Sequence, residues 1–370
     1  MFRFSSDQIS EGMVLARPIF DENNRVLLTA GQVLNERYVQ RIQKLQILFV
    51  YIDDQLGIEE VIPPVDPVTV SMATASLKQC YEQCIETGKP ELREVQSEID
   101  NIINDLVTNN YVMIGMSDLK SYDDYTYQHC VNVCVLSIII GISHGYNRLQ
   151  LQDLGIGAIL HDIGKINIPL EIINKSTSLT YAEFIEVKKH PLEGFNIINS
   201  LANLPWSSSM AVLQHHERID GNGYPRGLNG AKIHEYGLIV AVSDVFDALV
   251  SDRPYRQAYS NKEAMEMIEL EKGNRLSLLF VETLLSHIYM YPPGSVVSLS
   301  NGDLAIVTHG NLKDPKSPRL KLLFDANNQI YEMDSSLDLG INKNISITKV
   351  LSRLEAETNM LKYLTIHKNH

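Results

Sequence analysis

The sequence predicts a mainly α protein: an all-helical bundle flanked by a small N-terminal α+β module and a small C-terminal β domain. Three observations carry this. From about Ser117 to Tyr291 apolar residues recur at helical spacing, with no strand-length alternation. Before Ile62, short β-branched and aromatic runs are separated by turn residues. After Tyr291-Pro292-Pro293-Gly294, strand-like runs flank Asn301-Gly302, a strong hairpin signal. The expected boundaries are 1–62 for the N-terminal module, 63–116 for a linker with amphipathic helices, 117–291 for the bundle, 292–354 for the β domain and 355–370 for a tail.

Within the first module, Val14 to Phe20 and Arg25 to Thr29 read as strands around Asp21-Glu22-Asn23-Asn24. Asn35 is placed to cap a helix running to Leu45, and Ile47 to Ile52 returns as a strand. Pro63, Pro64 and Pro67 then break regular structure. Helices are predicted from about Ser71 to Thr87 and from Glu91 to Asn109, separated by Gly88-Lys89-Pro90. Ile99, Ile102, Ile103, Leu106 and Val107 give the second an apolar stripe, read as a packing or homodimer-forming face. Beyond the bundle, Val296 to Ser300 pairs with Leu304 to Val307, and Arg319 to Phe324 with Gln329 to Met333 around Asn327-Asn328. The segment after Leu354 is polar, helical or frayed, with His367 and His370 expected in solvent.

A net charge of −13 argues against a nucleic-acid polymer as partner, because such binding needs a basic face to displace counterions. A small anionic ligand stays compatible, since local cations dominate a pocket. Val131 to Ile142, the longest apolar run, is too short to cross a bilayer, and no signal-like run opens the chain. The expectation is a cytoplasmic protein without membrane insertion. Cys80, Cys84, Cys130 and Cys134 are expected as buried thiols.

The chemistry-bearing residues gather in the helical region. His129, the adjacent pair His161-Asp162, His190, the pair His215-His216 and Asp244 recur about every 25 to 32 residues, one helix plus a connection. Each helix of a bundle could therefore bring one ligand to a common point. So many imidazole and carboxylate groups exceed what one ion needs, which suggests two metals. Asp162 is suited to bridge them, because a carboxylate has two oxygens and His161 is committed to one side. Such a pair holds a hydroxide for attack at phosphorus. Mixed His/Asp coordination suits iron, manganese, zinc or nickel better than calcium. Gly164 lets the chain turn closely past the pair, and Lys165 is placed to meet an anionic oxygen.

Two further stretches point to the substrate. His215-His216-Glu217-Arg218-Ile219-Asp220-Gly221-Asn222-Gly223-Tyr224-Pro225 runs from ligands into a glycine-rich loop, where the Tyr224 ring could stack on a base. After Asp244, Arg253 and Arg256 bracket a proline-fixed turn, and planar guanidinium groups match phosphate oxygens.

These motifs resemble the HD-GYP family of bacterial cyclic-dinucleotide phosphodiesterases, a branch of the HD-domain phosphohydrolases. His161-Asp162-Ile163-Gly164-Lys165 looks like the HD motif and Gly223-Tyr224-Pro225 like the GYP motif; the resemblance covers about Ser117 to Met290. It implies one metal held by His129, His161, Asp162 and Asp244, and a second by Asp162, His190, His215 and His216. Lys165 would stabilise charge on the scissile phosphate, Arg253 and Arg256 would contact phosphates, and Tyr224 would face a guanine. The implied substrate is cyclic di-GMP, opened to linear pGpG and cut on to GMP in some members. Tyr125 stands where some members carry a glutamate for a third metal, which implies a binuclear site unless Asp123 or Asp124 takes that place. Cys130 replaces a common serine, and the usual Phe-Asp pair is missing near Gly273-Asn274-Arg275. Two other readings remain: hydrolysis of another cyclic dinucleotide or nucleotide, and a signalling adaptor that binds cyclic di-GMP with little turnover.

Overall fold

A computed structural model describes the chain except for residues 21–25, 46, 48, 54–55, 109–124, 174, 176, 202–203, 252–257, 333 and 369–370. The chain begins with β1 (Phe2–Ser5), β2 (Ile19–Phe20), β3 (Val26–Leu28), α1 (Glu36–Lys44) and β4 (Phe49–Ile52). β1 pairs antiparallel with β4, Phe2 opposite Ile52 and Ser5 opposite Phe49. No turn signal announces β1, because its partner lies far along the chain. The longer strands expected from Val14 and Arg25 shrink to β2 and β3, and Val14 and Leu15 make only isolated bridges to Val33 and Ile52. Asn35 caps α1 as expected, its Oδ1 accepting the Tyr38 N–H at 2.9 Å.

The helical unit, Ile62–Ile288, contains α2 (Pro67–Thr87), α3 (Arg93–Thr108), α4 (Tyr125–Ser143), α5 (Arg148–Ile159), α6 (Leu170–Ile173), α7 (Tyr181–Val187), α8 (His190–Asn199), α9 (Trp206–Gln214), α10 (Glu235–Val250), α11 (Asn261–Glu271) and α12 (Leu278–Leu285). Pro67, read from sequence as part of a break, instead opens α2. The Asp66 carboxylate accepts the Val68 N–H at 2.8 Å, and a proline in the first turn forfeits no helical hydrogen bond. The stripe on α3 is narrower than expected, since Ile99, Ile102, Ile103 and Leu106 are buried but Val107 is 56% exposed. It packs α3 against α5 inside this unit. Thr126–Ser143 of α4 is apolar and long enough for a membrane segment by composition, yet 78% of it is buried, as in a core helix. All four cysteines are buried free thiols.

The chain then forms an antiparallel sheet from β5 (Val296–Leu299), β6 (Leu304–His309), β7 (Arg319–Phe324), β8 (Ser336–Asp338) and β9 (Ile347–Val350), in the order β8-β7-β6-β5-β9. The Asn301-Gly302 hairpin between β5 and β6 is present. The second predicted pair is present only in its part next to the turn: Ile330 bridges Phe324, Tyr331 N–H donates to the Leu323 carbonyl at 3.0 Å and Asp325 N–H to the Gln329 carbonyl at 2.9 Å, while the ladders of β7 run to β6 and β8, and Met333 lies outside the described residues. The segment after Leu354, expected as helical or frayed, is the helix α13 (Arg353–Lys368). Met360 and Tyr363 are fully buried beside Phe4, Leu15, Ile52, Val296, Ile306 and Phe324. Burial of each such side chain stabilises by roughly 1.5–3 kcal/mol. One hydrophobic core thus unites Met1–Val61 with Tyr289–His370, where the sequence suggested separate flanking modules. Buried Glu357 on α13 ties the two ends, accepting the Ser5 hydroxyl at 2.6 Å and the Ser5 N–H at 3.1 Å. His367 lies 3.2 Å from the Tyr331 carbonyl rather than free in solvent, and His370 is outside the described residues.

Candidate metal centre

Five helices deliver the polar cluster. His129 projects from α4, His161 and Asp162 lie just past the end of α5, His190 opens α8, His215 and His216 follow α9, and Asp244 sits within α10. Except for His216 and Asp244, which are 27% and 14% exposed, these side chains are buried. They gather into two groups whose ligand atoms lie within 4.8 Å of one another: His129, His161 and Asp162, and His190, His215 and His216. Asp162 spans both. Its Oδ2 is 3.5 Å from His161 Nε2, while its Oδ1 is 3.3 Å from His190 Nε2 and 4.0 Å from His215 Nε2. Asp244 reaches both groups too, with Oδ1 3.2 Å from His129 Nε2 and Oδ2 3.9 Å from His216 Nδ1.

Local backbone geometry explains this convergence. After α5 the chain makes a tight 3-10 turn over Ile163–Asn167. A Cβ on Gly164 would lie 2.0 Å from the His190 carbonyl oxygen, so only glycine lets the turn press against the start of α8. That approach sets Asp162 beside His190. On the loop, a Cβ on Gly223 would lie 2.4 Å from the Arg218 nitrogen, so the loop folds back on itself there.

Ring orientation prepares the imidazoles for metal. The Nδ1–H groups of His161, His190 and His215 each donate to the carbonyl three residues earlier, on Ala158, Val187 and Val212, at 2.8, 2.7 and 2.8 Å. This tautomer leaves each Nε2 with a lone pair facing the centre. His161 Nε2 is buried with no hydrogen-bond partner among the described residues. His190 Nε2 and His215 Nε2 stand 3.2 Å apart, close enough for one cation to be shared by their inward-facing lone pairs. The donor set therefore fits divalent transition metals.

Electrostatics agree for three of the imidazoles. Burial lowers the pKa of His161, His215 and His216, that of His216 to about 3, so these imidazoles stay neutral. Burial would also lower His129, but hydrogen bonds to Asp244 and Asp247 outweigh it and push it up to about 10. Burial opposes charge on Asp162, yet Lys165 first, then His161 and His190, hold its carboxyl well below the ordinary range. Burial likewise disfavours the Lys165 ammonium, and Asp162, 2.5 Å away, more than compensates and raises it.

The structure adds residues that the sequence reading passed over. Asp247, fully buried one helical turn after Asp244, receives His129 Nδ1–H at 2.6 Å and Asn132 Nδ2–H at 2.9 Å. Gln128 in turn donates to Asn132 Oδ1 at 3.1 Å, which turns the Asn132 amide toward Asp247. The i,i+3 spacing of Asp244 and Asp247 was the available signal. Buried Glu217 closes the loop by accepting the N–H groups of Arg226 and Leu228 at 2.7 and 2.8 Å. Tyr224 on that loop packs its ring 4.6 Å from His216, at 30° between planes. Arg253 and Arg256 lie outside the described residues. Asp247→Asn is expected to weaken metal binding by about 10- to 100-fold while leaving the fold intact. Metal titration beside a thermal melt checks this, and unchanged affinity would count against the Asp247–His129 support.

Comparison with known proteins agrees with this geometry. Residues 119–277 match the HD domain family. This stretch is an HD-type helical domain. Residues 296–359 match the KOW domain associated with HD domains, which accounts for the sheet that follows the HD domain in sequence. The chain is 32% identical over 242 residues to the cyclic di-GMP phosphodiesterase PA4108 of Pseudomonas aeruginosa, covering 65% of this chain and 58% of that protein. It is 43% identical over 170 residues to a cyclic di-GMP phosphodiesterase of Thermotoga maritima, covering 45% and 46%. With 3'3'-cGAMP-specific phosphodiesterase 1 of Vibrio cholerae the identity is 32% over 173 residues, covering 46% and 38%. The chain thus spans less than two thirds of the length of these relatives.

Proposed function

We propose that the chain is a metal-dependent phosphodiesterase that opens cyclic di-GMP to linear pGpG, with GMP as the product of a second cut. The observation that carries this is Asp162, whose two oxygens point to two separate imidazole groups with inward lone pairs. The relatives named cyclic di-GMP phosphodiesterases support it. His129, His161, Asp162 and Asp244 would hold one ion, and Asp162, His190, His215 and His216 the other, iron or manganese in each case. Bound there, two such ions supply an activated water and a clamp on the phosphate oxygens.

The protein's own groups do the rest. Lys165, paired with Asp162 and one-third exposed, is free to turn its ammonium to the scissile phosphate, where negative charge grows as the P–O3′ bond breaks. Tyr224, half-buried and backed by His216, offers an aromatic surface to a guanine, and Glu217 keeps its loop closed. Arg253 and Arg256 are assigned to substrate phosphates by the resemblance of their segment to the family motif. The protein loaded anaerobically with iron(II) or manganese(II) should convert cyclic di-GMP to pGpG, read by chromatography alongside metal content. No product with either metal would overturn the reading. The relative named for 3'3'-cGAMP favours a second reading, in which the mixed dinucleotide is the preferred substrate; direct competition between the two nucleotides decides it.

A further inference from the structure

Lys188 follows α7 two residues before His190 and plays no part in the site described so far. Its ammonium rests on two aromatic faces, 4.7 Å from the Phe184 ring centre and 5.2 Å from that of Tyr224. Tyr224 is itself the loop residue packed on His216. Neighbouring cations each have a carboxylate partner: Lys189 pairs with Glu186 at 2.6 Å, Lys175 with Glu183 at 2.6 Å, Lys165 with Asp162 at 2.5 Å, and Arg218 with Asp220. Half-buried Lys188 has no carboxylate partner among the described residues. Aromatic faces attract an ammonium without cancelling its charge or satisfying its N–H donors. The seat therefore holds a positive charge beside the metal centre that is still available to an anion.

The proposed substrate has a use for it. A cyclic dinucleotide carries two phosphodiesters on opposite sides of one ring, and the metal centre can engage only the one being cut. We infer that Lys188 binds the second, non-scissile phosphate, which orients the ring while Tyr224 meets a base. This rests on the phosphodiesterase reading above. It makes Lys188 a substrate-binding residue that distinguishes a cyclic dinucleotide from a single phosphodiester.

The test compares metal-loaded full-length wild type with Lys188→Met, Lys188→Arg and Lys189→Met, measuring KM, kcat, equilibrium binding of cyclic di-GMP and metal content. Methionine keeps the apolar stem over the rings and removes the charge. Lys188→Met should raise KM and the binding constant about tenfold, with metal content at the wild-type level and kcat changed much less. Lys188→Arg should recover most of the loss, and Lys189→Met should match wild type. Wild-type KM in Lys188→Met overturns the inference, as does a loss confined to kcat or metal content, which would mark a structural role. If the wild type neither binds nor cuts the nucleotide, the phosphodiesterase reading fails and this assignment with it. If the wild type cuts it and Lys188→Met does so with unchanged KM, only Lys188 is misassigned.

Discussion

Asp162→Ala is expected to lower phosphodiesterase activity by more than about a thousandfold, a loss above roughly 4 kcal/mol of transition-state stabilisation. Among the described residues no other side chain joins so many of the polar groups. Its Oδ2 faces His161 and Lys165 while its Oδ1 faces His190 and His215. Removing it leaves Asp244 as the one carboxylate common to both imidazole groups among the described residues and frees Lys165 from its partner. Metal content of the purified variant should therefore fall along with activity. Asp162→Asn separates charge from shape, since the amide fills the same space but cannot supply two anionic oxygens. The fold should survive both changes, because the Lys165 side chain is 33% exposed and its ammonium can turn to water. Full metal content with full turnover in Asp162→Asn would remove the carboxylate from its proposed role.

Gly164→Ala should be the next most damaging change, although a methyl group adds no new chemistry. The added carbon would sit 2.0 Å from the His190 carbonyl oxygen and 2.4 Å from the Gly194 nitrogen, both backbone atoms that no rotamer change can move aside. The turn after α5 and the start of α8 must separate. Overpacking of this kind costs about 1–3 kcal/mol, and atoms this close place the expected loss at the upper end. The separation also pulls His190 from Asp162, now 3.3 Å apart, so metal content should drop more than the melting temperature alone suggests. Chemical denaturation and metal analysis of the same preparation check the two effects. A variant of wild-type stability and metal content would show that the backbone relaxes at little cost.

Much of the centre was legible in the chain because it depends on residue types at helix-length intervals. His129, His161, Asp162, His190, His215, His216 and Asp244 were all chosen on that ground, and the structure brings them together. The fold was legible where local chemistry governs it: the Asn35 cap, the apolar stripe of α3 and the Asn301-Gly302 hairpin. It was not legible where pairing is distant. β1 needed β4, β7 took β8 along its first residues as well as the Gln329 stretch at its end, and the polar-looking tail became α13 because Met360 and Tyr363 found a core built from the other end of the chain.

The sequence by itself determined which groups could hold metal, that a carboxylate beside His161 could serve two sites, and that a glycine loop carries an aromatic ring next to two of the imidazoles. Tertiary structure alone decided that Asp244 also reaches both groups, that Asp247, itself held by Asn132, aims His129, and that Lys188 is left without a carboxylate among the described residues. The physical reason is separation along the chain. Asp247 and Asn132 are 115 residues apart, and a hydrogen bond between them exists only once α4 and α10 have packed.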